Sequence, residues 1–255
     1  MRKLNIYKKG MIVIFAILPL FIFSQKSKKS PEGIRLNFHH FVGEDSLVLD
    51  DSVYYNSLNQ PFTITKFNYY IGQIHLVKTD GKKVVINTYF LISEDEEKAS
   101  SKNIELEKIP SGEYSSIEFI LGVDSVHNCS GAQSGALDPI NSMFWTWNTG
   151  YIFMKLEGKS TSSSAVGNNL EYHIGGYKEP SNCIRNITLK FDKLLIIEKN
   201  TLTEINIKAD VLEILKTPTK IDFSTIPTVN TLLNATIIAD NYADIFQLIN
   251  SKTVK

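Results

Sequence analysis

Among the side chains that can do chemistry, the histidines come first. Four of the five, His40, His75, His127 and His173, fall on or beside strand-like segments, and imidazole is the commonest transition-metal ligand. No pair shows a local ligand spacing such as HxH or HxxxH, so a metal site has to be assembled from distant strands. The bland alternative is a half-buried, hydrogen-bonded imidazole. His39 and His40 are adjacent and, on a strand, point to opposite faces, so together they chelate nothing. Trp145 and Trp147 are at i and i+2, so in a strand both face the same side, and Tyr151 and Phe153 extend the row if the strand continues past Asn148-Thr149-Gly150. Such a row is usually core; the alternative is a platform for a carbohydrate or cofactor. Cys129 and Cys183 are the only two cysteines. In an oxidising compartment they are expected to form a disulfide, and without a CxxC a thiolate metal site is the lesser reading.

Other chemistry has little support. The chain contains no GxSxG, HExxH, GxxxxGK[ST] or GxGxxG, which removes the common hydrolase, zinc-protease and nucleotide signatures. Asp124, Asp138 and Glu157 are the carboxylates a glycosidase would need to bring together, but acids at these places more often cap loops and turns. The expectation is a protein without catalytic residues. Most of the candidates fall between Gly122 and Gly176, and the elements around that stretch must position them.

Export is the first of those constraints. Arg2, Lys3, Lys8 and Lys9 precede an unbroken apolar run from Met11 to Phe23, and Ser24-Gln25 offers a small-residue cleavage point. The run is short against the ~20 residues of a membrane span, so residues 1–24 read as a signal peptide and the protein as periplasmic or secreted. Removing four basic residues from a chain with 27 Lys+Arg and 27 Asp+Glu leaves it mildly acidic, which argues against nucleic acid or an anionic membrane as partner. Residues 25–33 are polar and read as a flexible lead-in.

From residue 34 to 255 the pattern is that of one all-β domain. Ile34, Leu36, Phe38 and His40 alternate with Arg35, Asn37, His39 and Phe41, which places His40 on the core-facing line and His39 on the polar one. Pro61 to Lys78 has strand composition, and Asp80-Gly81 is a hairpin signal. About ten to twelve short strands at such intervals predict an antiparallel β-sandwich, Greek-key or jelly-roll-like. Ser93 to Lys102 reads as a charged surface loop, and Asp124 to Asn141 as a long irregular loop of the kind that often carries function. Tyr242, Ile245, Phe246 and Ile249 have helical spacing, which predicts a short C-terminal helix over 241–249.

Several of these pieces together resemble a known family. Phe119 to Asp124, Asn128, Leu137-Asp138-Pro139, the run from Met143 to Tyr151 (MFWTWNTGY) and Glu157-Gly158 are similar to the MbnP-like family, exported proteins named for a methanobactin-associated copper protein. Phe38-x-His40-x-Val42-Gly43, Lys66 to Ile71 and Tyr172 to Gly176 (YHIGG) fit in the same order. The resemblance implies a periplasmic β-sandwich that holds copper through two histidines. It further implies a tryptophan oxidised to kynurenine beside the metal by a di-haem partner enzyme of the MauG type. Carried onto this sequence, His40 and His173 become the candidate copper ligands, and Trp145 or Trp147 the candidate modified residue. The alternative is a cell-envelope module that binds a surface partner or a glycan without metal.

Overall fold

The computed structural model describes residues 33–95, 101–145 and 150–254. The predicted signal peptide, nearly all of the lead-in, and Trp147 lie outside the described residues. The chain runs through β1 (Gly33–Val42), β2 (Asp45–Ser46), β3 (Tyr54–Tyr55), β4 (Pro61–Lys78), β5 (Lys83–Ile86), β6 (Phe90–Ser93), β7 (Asn103–Leu106) and β8 (Gly112–Leu121). A short helix α1 (Ser125–Cys129) leads into β9 (Phe144–Trp145), β10 (Gly150–Tyr151), β11 (Met154–Lys159), β12 (Asn169–Ile174), β13 (Arg185–Ile197) and β14 (Leu202–Asp210). The chain closes through α2 (Val211–Ile214), β15 (Thr228–Val229), α3 (Ala235–Tyr242) and β16 (Phe246–Val254).

Two sheets face each other. The smaller has five strands, with β16, β14, β1 and β2 in order and β7 also on β1; the larger has nine and is built around the 18-residue strand β4. Alternation decides which side chains meet between them. Phe38 from β1 packs edge-on against Tyr69 of β4 and Phe119 of β8, at 6.3 and 6.4 Å between ring centres, and Phe246 of β16 joins them. Such contacts add about 0.5–1.5 kcal/mol each beyond their burial.

The sheets are mixed rather than wholly antiparallel. β1 pairs in parallel with β14, and β12 with β15. A parallel partner comes from far along the chain, so local alternation, which is the same for either direction, gives no sign of it. A short helix does lie near the C-terminus, but at Ala235–Tyr242. Residues 246–254 form a strand instead, because hydrogen bonding to β14 overrides the helical spacing. The irregular stretch after β8 lies over the outer face of the larger sheet. There Tyr70 Oη donates to Ala136 O at 2.9 Å, and Lys155 Nζ to Ser142 O at 2.7 Å.

Candidate functional site

His40 sits where alternation puts it, on the inner face of β1 with its side chain fully buried. Its Nδ1 lies 2.5 Å from Glu94 Oε2, and its Nε2 lies 3.0 Å from Tyr69 Oη. Glu94 in turn accepts from Lys102 Nζ at 2.8 and 2.9 Å. A carboxylate at Nδ1 selects the tautomer in which that nitrogen donates, so Nε2 accepts the Tyr69 hydroxyl. Burial lowers the pKa of His40 and keeps the ring neutral despite the carboxylate beside it. Burial also works against the charge on Glu94, but the hydrogen bonds from His40 and Lys102 prevail and hold its pKa below the ordinary value. Both Glu94 and Lys102 lie in or next to a stretch read from sequence as plain surface loop. Nothing in that run of charged residues marks Glu94 as an acid that folds inward.

His173 is elsewhere. In β12 it stands opposite Lys155 of β11, which stands opposite Asn68 of β4. Directly paired residues share a face of a sheet, so His173, Lys155 and Asn68 form one row. Tyr69, whose hydroxyl touches His40, belongs to the neighbouring row with Met154 and Ile174, on the opposite face. The larger sheet therefore stands between the two imidazoles, and the expected copper pair of His40 and His173 is not brought together. His173 Nε2 is 2.8 Å from Glu157 Oε1, and Lys66 Nζ is 3.6 Å from Glu157 Oε2. The hydrogen bond from His173, with help from Lys66, holds the Glu157 carboxyl down at about 2.

His127 belongs to a third group. Asp124 caps α1 by accepting from the backbone N–H of His127 at 2.9 Å, and its carboxylate also receives the His127 ring, Tyr89 Oη at 2.6 Å and Gln73 Nε2 at 2.7 Å. Desolvation opposes ionisation there, yet these donors bring Asp124 down to about 2. Tyr89 lies against Gly72, where an added Cβ would stand 2.4 Å from its ring. Asp138 caps the turn at Ile140. Asp124, Asp138 and Glu157 thus each make local contacts: a helix cap, a turn cap and a hydrogen bond with His173. Among the described residues no group of three or more His, Cys, Asp and Glu is arranged to hold a metal ion.

The cysteines require a correction. Both are free thiols, not the disulfide expected from export. Cys129 ends α1 at the surface with its Sγ 3.4 Å from Tyr177 Oη, whereas Cys183 is buried with its Sγ 3.5 Å from Ser181 O. One thiol faces solvent and the other is sealed under Tyr242, which donates to the Cys183 carbonyl. Burial pushes the Cys183 thiol up to about 12. Native protein is expected to react with a thiol reagent at Cys129 alone, and denatured protein at both cysteines without prior reduction. Failure of both to react in unreduced, denatured protein would restore the disulfide.

Trp145 is core, with 6% of its surface exposed. It lies against Gly175, where a Cβ would be 2.8 Å from the indole ring and 2.4 Å from Tyr151 O. Gly175 therefore owes its identity to the tryptophan and the adjacent backbone. Beside this contact is a hollow of about 210 Å³ lined by Asn128, Trp145, Tyr151, Tyr177, Lys178 and Leu232, among others. Asn128 fixes its wall, donating to Val123 O and accepting from Tyr151 N. At the rim, Lys178 Nζ lies 5.3 Å from the centre of the Tyr177 ring, a cation–π contact. Sequence reading named Trp145 but missed Tyr177, Lys178 and Leu232, which reach the hollow only through folding.

Comparison with known proteins agrees with this architecture. MbnP from Methylosinus trichosporium, a solved structure, matches over 87% of this chain and 98% of that one, with a TM-score of 0.53 at 12% identity. At that identity the likeness shows the fold. No curated protein matches. The MbnP family model matches residues 31–232, most of the chain and all of the strands that form the hollow and carry the histidines; the chain belongs to the MbnP family.

Proposed function

We propose that this chain is an exported, non-catalytic binding protein of the cell envelope, and that its binding face is the hollow beside Trp145. The observation that carries this is the convergence of separate segments on one concave place: α1, β9, β10, the turn after β12 and the loop at Leu232. Asn128, Trp145, Tyr151 and Gly176, from the stretches that carry the family resemblance, line it, whereas the histidines are dispersed. Small, partly apolar hollows with a few polar groups are the usual form of a small-ligand site. The aromatic edges and the Lys178 cation suit a ring-sized ligand carrying an anionic group. The sheet that divides the imidazoles speaks against copper held jointly by His40 and His173.

The test is a thermal-shift screen of the exported chain against neutral sugars, acidic sugars and small aromatic carboxylates. A ligand at a hundred times its Kd adds about 2.7 kcal/mol to stability, roughly 5–10 °C in Tm for a chain of this size. The shift should vanish in Tyr177→Ala and Leu232→Glu. No shift with any compound, or one that survives both substitutions, rejects the hollow as the binding face.

A further inference from the structure

From the disposition of the two histidines we infer that His40 and His173 do not constitute a metal centre in this chain, and that His40 is instead a bridge holding the two sheets together. The family resemblance joins these residues through one copper ion; the fold assigns them different work. His40 comes from β1 of the smaller sheet. Its two ring nitrogens reach Tyr69, on β4 of the larger sheet, and Glu94, directly after β6 of the same sheet. Each nitrogen therefore has a partner across the interface. A metal at Nε2 would have to displace a tyrosine hydroxyl with no exposed surface, and removing that partner from a buried place leaves a polar group unsatisfied. Phe67 and Tyr69 flank the imidazole at 4.9 and 5.6 Å between ring centres and fill the space where further donors would stand. His173 lies across the sheet, hydrogen-bonded to Glu157, which also pairs with Lys66.

The carboxylate behind His40 does not by itself mark it as a ligand. A metal-binding histidine commonly donates one nitrogen to a carboxylate and offers the other to the metal. In this chain the second nitrogen is already used, by a hydroxyl from the opposite sheet. The inference is independent of the hollow, which touches neither histidine, so a failed ligand screen leaves it standing.

The experiment loads the exported chain with Cu(II), and separately with Cu(I) under reducing conditions. Each sample is dialysed against a competing chelator and its retained copper counted. Wild type, His40→Gln and His173→Gln are expected to retain the same amount. Loss from His173→Gln alone would place copper at that histidine and leave the division standing, whereas loss from His40→Gln alone would make His40 a ligand and overturn the bridge. Stoichiometric copper in wild type that is lost from both variants overturns the inference. Should His40→Gln not fold, Tyr69→Phe replaces it, since it frees Nε2 while leaving the ring in place. A bridging His40 gives unchanged copper affinity in that variant; a tenfold or greater gain means that the nitrogen is a ligand held back by the hydroxyl.

Discussion

His40→Ala is expected to lower the unfolding free energy by about 3–5 kcal/mol, in the range seen when one partner of a buried polar network is removed. The cost has two sources. The Tyr69 hydroxyl loses its acceptor in a site with no exposed surface, and an unsatisfied buried group costs about 1–3 kcal/mol. The missing imidazole also leaves a cavity between Phe67 and Tyr69, which close packing does not fill without strain. In a chain of this length the combined loss corresponds to a Tm lower by roughly 10 °C. His173→Ala, made at a partly exposed hydrogen bond to Glu157, should cost about 1 kcal/mol or less. Denaturant titration of both variants checks the ranking, and equal losses would show that His40 is no bridge.

The bridge also has a pH signature. His40 has a folded pKa below its ordinary 6.5, so the unfolded chain takes up this proton more readily. Stability is therefore unaffected by His40 above that value and falls as pH drops through it. Glu94 has a folded pKa below its ordinary 4.5. Its contribution is complete above 4.5 and is lost as pH falls further. Wild type should begin to lose stability on the acid side of 6.5 and lose more below 4.5, and His40→Ala should lack the first phase. A variant with an unchanged profile would remove the imidazole as its source.

Gly158→Ala should be equally severe for a different reason. Gly158 lies in β11, at the irregularity in its pairing with β4. A Cβ there would stand 2.0 Å from Thr63 O and 3.0 Å from Thr63 C. Both are backbone atoms, so relief requires moving a strand at the centre of the larger sheet. Overpacking of this kind costs typically about 1–3 kcal/mol, and the involvement of backbone places the expected loss at or above the top of that range. Gly81→Ala is the control. Its φ of +82° carries a conformational cost, but nothing lies within 4 Å of the new methyl, and the loss should be about 1–2 kcal/mol. If the two substitutions cost the same, steric exclusion at Gly158 is not the cause.

The sequence by itself determined the faces of the individual strands. The alternation in GIRLNFHHFV places His40 inward and His39 outward, as observed, because a strand has only two sides. Aromatic composition marks Trp145, Tyr151 and Phe153 as core, and all three are buried. The motifs from Phe119 to Gly176 were enough to bring the family into view. Tertiary structure alone decided which faces meet. It set His40 and His173 on opposite sides of one sheet, because their relation depends on the register between β4, β11 and β12 and not on anything local to either residue. It also turned Glu94 inward from a run of acids, paired β1 with the distant β14 in parallel, and sealed Cys183 away from Cys129. Each of these depends on contacts between residues far apart in the chain, while periodicity and composition report only what a segment presents to its neighbours.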